Sequence, residues 1–335
     1  MATRYFSSPR GRRPWLRLLL GISLAAAFFY LAVRNLDLAQ AGSLLLSIDL
    51  SGLFSILILS LLVLGLRVWR WQLMFPVDSR PGGRAAFCAF VLGSFGNCVM
   101  PGRLGDLVRV QLVAAHVPVT GTGGALATVV LEKAMDGLAV LVLLAITFSF
   151  APLPKWLVQA GLIGATAIAA VLAILILVAK QWSIRRLPDA AAGRTWLEKL
   201  LITARQLILG FAKGLEVIMN LRQFAALLLF GLIIWISECL VVYFSFRLFD
   251  IHVPIAAAVV TIVFLAVGTM LPAAPGFIGT YQFFVISALT LYGISETLGL
   301  AVSIFMNLLS IGTVLLLSVV AFPIQMLPSP RQSRV

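Results

Sequence analysis

Three charges interrupt a long apolar run at Asn97-Cys98-Val99-Met100-Pro101-Gly102-Arg103-Leu104-Gly105-Asp106-Leu107-Val108-Arg109. Their types suit the binding of an anion. Pro101 lacks a backbone donor and Gly102 permits a sharp bend, so a helix arriving through Val99 is expected to break there and a second to start near Arg103. A helix start carries free N–H groups and a partial positive charge. Arg103 and Arg109 add two cations within roughly a 120° arc, which together make a phosphate-binding arrangement. Asn97, Gly102, Gly105 and Asp106 complete this candidate substrate-binding site.

A second set of charges lies at Glu132, Lys133 and Asp136, with Glu238 alone in a later apolar run. Ionisable groups inside a membrane normally face a cavity or a partner and mark a pathway. Glu132 and Asp136 are four apart and share a helix face. Two readings stay open for them: two carboxylates in low dielectric that share a proton and carry it, or a static clamp in which Lys133 neutralises one acid and Arg103 or Arg109 the other. For Glu238 the choice is between a pathway residue and a structural carboxylate, paired with Arg247 or hydrogen-bonded to the bundle.

The framework Pro-Gly-x-x-Gly of Pro101-Gly102-Arg103-Leu104-Gly105 returns, without the charges, at Pro275-Gly276-Phe277-Ile278-Gly279, followed by Thr280-Tyr281-Gln282. Paired Gly/Pro interruptions in the two halves of an apolar chain point to a transporter site between internal repeats. Gln282 and Asn307 are neutral polar groups in apolar runs, where interhelical hydrogen bonding is their expected role. The run Gly121-Thr122-Gly123-Gly124 lacks the lysine of a phosphate loop.

The elements that must position these residues follow from composition. The chain has 335 residues, of which 61% are hydrophobic and only 11% charged, far from the quarter typical of soluble domains. It reads as an all-α polytopic membrane protein. The net charge of +13 falls between apolar spans, as topology signals do, so anionic lipid surfaces rather than nucleic acid are the expected partner. Cys88, Cys98 and Cys239 sit in apolar runs and His116 and His252 are scattered. Neither a disulfide framework nor a metal site or other cofactor is expected.

Full spans are expected at 16–33, 53–74, 128–148, 157–179, 224–244 and 298–322. The broken segments 85–117 and 255–292 are too long for one crossing and short for two, which suits re-entrant hairpins. Arginines before residue 16 place the N-terminus in the cytoplasm, and eight cations against three acids between 180 and 222 place that amphipathic linker there too. These sides agree only if each broken segment returns to the side it entered. The count is then six full transmembrane helices plus two oppositely oriented re-entrant helical hairpins, an inverted repeat in one membrane domain, 1–335, with cytoplasmic tails at 1–15 and 324–335.

With these residues in place, the chain resembles the flippase-like transmembrane region of lysylphosphatidylglycerol synthases and its stand-alone relatives. The likeness rests on Asn97 with Pro101 to Arg109, on Ala125-Leu126-Ala127-Thr128-Val129-Val130-Leu131-Glu132-Lys133 with Asp136, and on Pro275 to Gly279. It departs from the family pattern at Lys133, where the family often has arginine, and at Gln282 and Asn307, where the family often has an acid and an arginine. The resemblance implies a protein that moves or handles lipids in a bacterial-type cytoplasmic membrane. The expected function is translocation of a phospholipid or lipid-linked headgroup, anionic, zwitterionic or sugar-bearing. A homo-oligomer is compatible with it, and aminoacyl transfer is not implied. The rival readings are an integral-membrane transferase acting on a lipid carrier and a non-transporting scaffold docking a partner on 180–222.

Overall fold

A computed structural model describes residues 38–46, 48–100, 103–114, 116–117, 121–149, 155–182, 196–268 and 275–326. The expected first span at 16–33, the break at Pro101-Gly102, tail 1–15 and most of tail 324–335 lie outside these residues. Among those described, all regular structure is helical: α1 Leu38–Leu46, α2 Leu50–Leu73, α3 Gly83–Val99, α4 Leu104–Ala114, α5 Gly121–Phe148, α6 Lys155–Trp182, α7 Trp196–Gly214, α8 Leu221–Leu248, α9 Ile255–Gly268, α10 Thr280–Thr290 and α11 Glu296–Met326. The chain is an all-α polytopic membrane protein.

Helices α2, α6, α8 and α11 are long and apolar enough to cross a membrane. Helix α5 is as long as α6 and α8, at 28 residues, but carries Glu132, Lys133 and Asp136. Leu162, Ile163, Ile174 and Leu177 of α6 are all exposed. So continuous an outward apolar face belongs in hydrocarbon rather than water.

Each broken segment folds back on itself. In the first, α3 and α4 run antiparallel, because Gly93 meets Arg109 while Gly96 and Asn97 meet Gly105. The approach is backbone to backbone: a Cβ on Gly96 would lie 2.8 Å from Gly105 Cα, and one on Gly105 would collide with the Gly93 carbonyl and with Asn97. Gly105 is therefore a packing residue of the hairpin. Gly105→Ala is expected to destabilise the protein by about 1–3 kcal/mol, because neither facing backbone can yield. Thermal unfolding in detergent reads this directly, and an unchanged midpoint would contradict the close packing.

In the second segment, α9 and α10 pack through Phe264 and Phe284, with ring centroids 6.5 Å apart. Their connection includes Gly276 (φ 68°) and Gly279 (φ 89°), left-handed positions that favour glycine. Gln282 accepts a hydrogen bond from the Gly279 N–H at 2.7 Å, which caps the start of α10. Asn307 of α11 donates to the Gly276 carbonyl at 3.1 Å. The two neutral polar residues thus hold the turn of this hairpin, one locally and one from a neighbouring helix.

The core is divided. One apolar cluster, with Trp71, Phe90, Val110, Leu131 and Leu227, surrounds the first hairpin. Another, with Phe246, Val285, Leu289, Leu300 and Phe305, surrounds the second. Helix α7 lies against the start of α5. There Gly123 meets the backbone at Leu207, Gly210 and Phe211, and Gly214 meets Gly124 and Ala127. Gly123 and Gly124 of the glycine run thus make a close helix–helix contact.

Candidate functional site

A cavity of about 330 Å³ opens at the seam between the two clusters, and its wall carries Arg67, Asp106, Arg109, Glu132, Lys133 and Glu238. Three cations face three carboxylates. Arg67 comes from α2, Asp106 and Arg109 from α4, Glu132 and Lys133 from α5 and Glu238 from α8. Side chains of α9, α10 and α11 complete the lining, mostly apolar ones such as Ile262, Leu265 and Leu309, with Tyr281, Ser310 and Thr313 among them. Ser60 and Ser94 also line it, but each hydroxyl donates to a carbonyl of its own helix, Ile56 and Phe90 respectively, at 2.9 Å. The charges are left as the strong polar anchors.

Arg109 and Glu132 form the innermost pair. They hydrogen-bond directly, and each side chain is only 4% exposed. The guanidinium is sandwiched by aromatic faces, 4.1 Å from the Trp71 ring centroid and 4.4 Å from Phe90. Trp71 is itself fully buried and held by its Nε1–H donating to Thr128 Oγ1 at 3.0 Å. Such a pair resists separation because either partner alone would be a buried, uncompensated charge.

Asp136, one turn along α5 from Glu132, accepts from Arg70 at 2.6 Å and from the Trp235 indole N–H at 3.1 Å. Arg67 stands 3.9 Å from it. Arg70 is 1% exposed. Gly231 of α8 leaves room for its guanidinium, since a Cβ there would lie 3.2 Å from Nη1. Glu132 and Asp136 thus each have their own arginine.

Two further pairs are more open. Arg67 donates to Glu238 at 2.9 Å, with the side chains 19% and 28% exposed. Arg67 also lies 5.3 Å from the Trp235 ring centroid. Lys133 stands 3.7 Å from Asp106, which also accepts from Asn97 at 3.0 Å.

Several sequence expectations meet here, and others do not. Asn97, Asp106, Arg109, Glu132, Lys133 and Glu238 share the cavity. Arg103 does not line it. It sits at the first hairpin's turn with φ 56°, its guanidinium 5.5 Å from the Phe277 ring of the second hairpin. In the same region a Cβ on Gly276 would lie 3.9 Å from the Cys98 carbonyl oxygen, so the end of α3 lies beside the second turn. Arg103 and Arg109 therefore take different partners. Glu238 pairs with Arg67 and not with Arg247, which lies over Tyr243. Pro275, Gly276 and Gly279 shape the second turn, while Gly102 lies outside the described residues.

Arg67 and Arg70, which the sequence analysis does not single out, are partners of the acids. The signal that could have found them is distance along the helix. Arg67 lies six residues before the end of α2, about 9 Å inside it, and three intramembrane acids need cations.

The family described as the lysylphosphatidylglycerol synthase TM region matches residues 18–318. No curated protein and no solved structure matches the chain.

Proposed function

Because the chain belongs to the family of the lysylphosphatidylglycerol synthase TM region, a family tied to membrane phospholipids, we propose that it translocates a phospholipid or lipid-linked headgroup across the cytoplasmic membrane. The observation that supports this most strongly is the cavity itself: six charged side chains from four helices, placed within an apolar bundle and faced by a mostly apolar lining. Charges inside a membrane are costly unless paired or functional. Here they are paired, yet two of the pairs remain accessible from the cavity. A ligand with a charged head can exchange partners with them, and its apolar remainder can rest on the α9 and α11 side.

In this reading the two hairpins enter from opposite faces and meet at Arg103 and Phe277. That is the frame expected for alternating access between inverted repeats. Both termini and the 180–222 linker are cytoplasmic, as the parity of the basic loops requires. Arg67 and Glu238, with Lys133 and Asp106, hold the headgroup. Arg109 and Glu132 fix the floor beneath them, and Arg103 is a cation at the junction of the hairpins.

Vesicles reconstituted with the purified chain and a panel of fluorescent phospholipids test the proposal. Protein-dependent loss of inner-leaflet protection for at least one headgroup class is the expected result. Transfer no faster than in protein-free vesicles, for every headgroup and under an imposed proton gradient, would overturn it.

A further inference from the structure

The polar cavity has an apolar neighbour. A lateral groove of about 610 Å³ is lined by α1, α2 and α11, with Leu46, Leu53, Leu57, Phe305, Gly312 and Leu316 on its walls. Leu309 and Thr313 line both the groove and the cavity. The Thr313 hydroxyl donates to the Leu309 carbonyl at 2.7 Å, so it asks for no partner on either side. The partition between groove and cavity is one side chain thick.

Helix α2 joins the two spaces more directly. Leu53 and Leu57 line the groove, while Ser60, Leu64 and Arg67 line the cavity. Spacings of four, three, four and three residues keep all five on one helix face. This stripe runs for about 21 Å, apolar at the Leu53 end and cationic at the Arg67 end. On α11 the groove residues 305, 308, 312 and 316 and the cavity residues 306, 310 and 314 flank the shared pair at helical spacing. An occupant that suits the whole stripe is apolar at one end and charged at the other.

From this continuity we infer that the groove is the acyl-chain subsite of the lipid whose headgroup enters the charged cavity, and that α2 and α11 form the lateral portal through which that lipid arrives. The inference rests on the proposed translocation of lipid and assigns a place for its tail. With the N-terminus in the cytoplasm, Arg67 lies toward the cytoplasmic end of α2 and Leu53 toward the outer end. The lipid then lies head toward the cytoplasm and tail toward the opposite leaflet, the orientation of an inner-leaflet lipid. The structure therefore corresponds to a loading state for that leaflet.

Gly312 supplies the test. Gly312 lines the groove and no atom lies within 4 Å of a Cβ placed there, so Gly312→Phe puts bulk where the tail would lie. The probe is phosphatidylethanolamine with a diazirine in one acyl chain, incorporated in trace into vesicles holding the full chain. After photolysis, adducts are mapped by peptide. Adducts concentrated on 53–57 and 305–316 are expected in the wild type. They should fall by about tenfold in Gly312→Phe, because the ring takes the tail's place in the groove and leaves it only the bulk bilayer. They should fall likewise in the double variant Arg67→Gln with Glu238→Gln, which removes the headgroup's anchor. Adducts that are unchanged in both variants, or spread equally over the outward face of α6, would show ordinary bilayer contact and overturn the inference. Mapping does not require transfer, so a lipid lodged here without being moved would contradict the proposed translocation and leave the subsite standing.

Discussion

Glu132→Gln is expected to destabilise the protein by about 3–5 kcal/mol, the cost of breaking a buried ion pair by removing one partner. The reason is the enclosure of Arg109, buried under Trp71 and Phe90 with Glu132 as its carboxylate. With that carboxylate gone, the guanidinium keeps its aromatic neighbours but loses the anion it is hydrogen-bonded to. The nearest alternative acid on its own helix, Asp106, is held by Asn97 and Lys133. Arg109→Gln alone should be similarly harmful, because it leaves the buried Glu132 without the cation it is hydrogen-bonded to. The double variant Glu132→Gln with Arg109→Gln removes both charges and should recover most of the lost stability. Unfolding midpoints of the four proteins in one detergent give the coupling directly. Additive losses would mean that the two residues do not support one another, and the pair would not be the structural floor described above.

This arrangement bears on what Glu132 and Asp136 do. A shared proton requires two carboxylates that compete for too little positive charge. The structure gives them separate arginines, Arg109 for Glu132 and Arg70 for Asp136, with Arg67 near the latter. That geometry favours a clamp, but one made by Arg109 and Arg70: Lys133 stands beside Asp106 and neutralises neither acid, and the pairs left open to a ligand are Arg67 with Glu238 and Lys133 with Asp106.

Much of the fold can be read from the chain because membrane helices declare themselves by apolar length. The first broken segment is legible too, since Pro101-Gly102 leaves lengths on either side too short to cross, and α3 and α4 pack antiparallel. The pairing of acids and bases is less legible, because it depends on which helices become neighbours. Arg67 and Arg70 look interfacial while α2 is considered alone. Only the packing of α2 against α8 brings Arg67 to Glu238, and only Gly231 gives Arg70 the room to reach Asp136. For the same reason Glu238 cannot be assigned to Arg67 rather than Arg247 by sequence distance. The glycines of the first hairpin invite a phosphate-approach reading, yet Gly105 serves helix contact. Backbone proximity is the common physical demand, and sequence does not say what the backbone approaches.

The second large effect concerns the headgroup pair, and it bears on the central claim that the charged cavity is the route of the lipid. Neutralising Arg67 and Glu238 together avoids stranding either charge. Asp136 keeps Arg70 at 2.6 Å and the Trp235 indole at 3.1 Å, so the fold should persist. A headgroup that exchanges partners with both residues loses charge-assisted hydrogen bonds, which are worth about 1.5–3 kcal/mol each, or about tenfold or more in rate. The most direct measurement is the rate of fluorescent phospholipid transfer in vesicles holding Arg67→Gln with Glu238→Gln, compared with wild type at equal protein content and with the unfolding midpoint determined alongside. A loss of at least about tenfold with a midpoint near wild type is the expected result, whereas wild-type transfer by the doubly neutralised protein would contradict the cavity as the lipid's path.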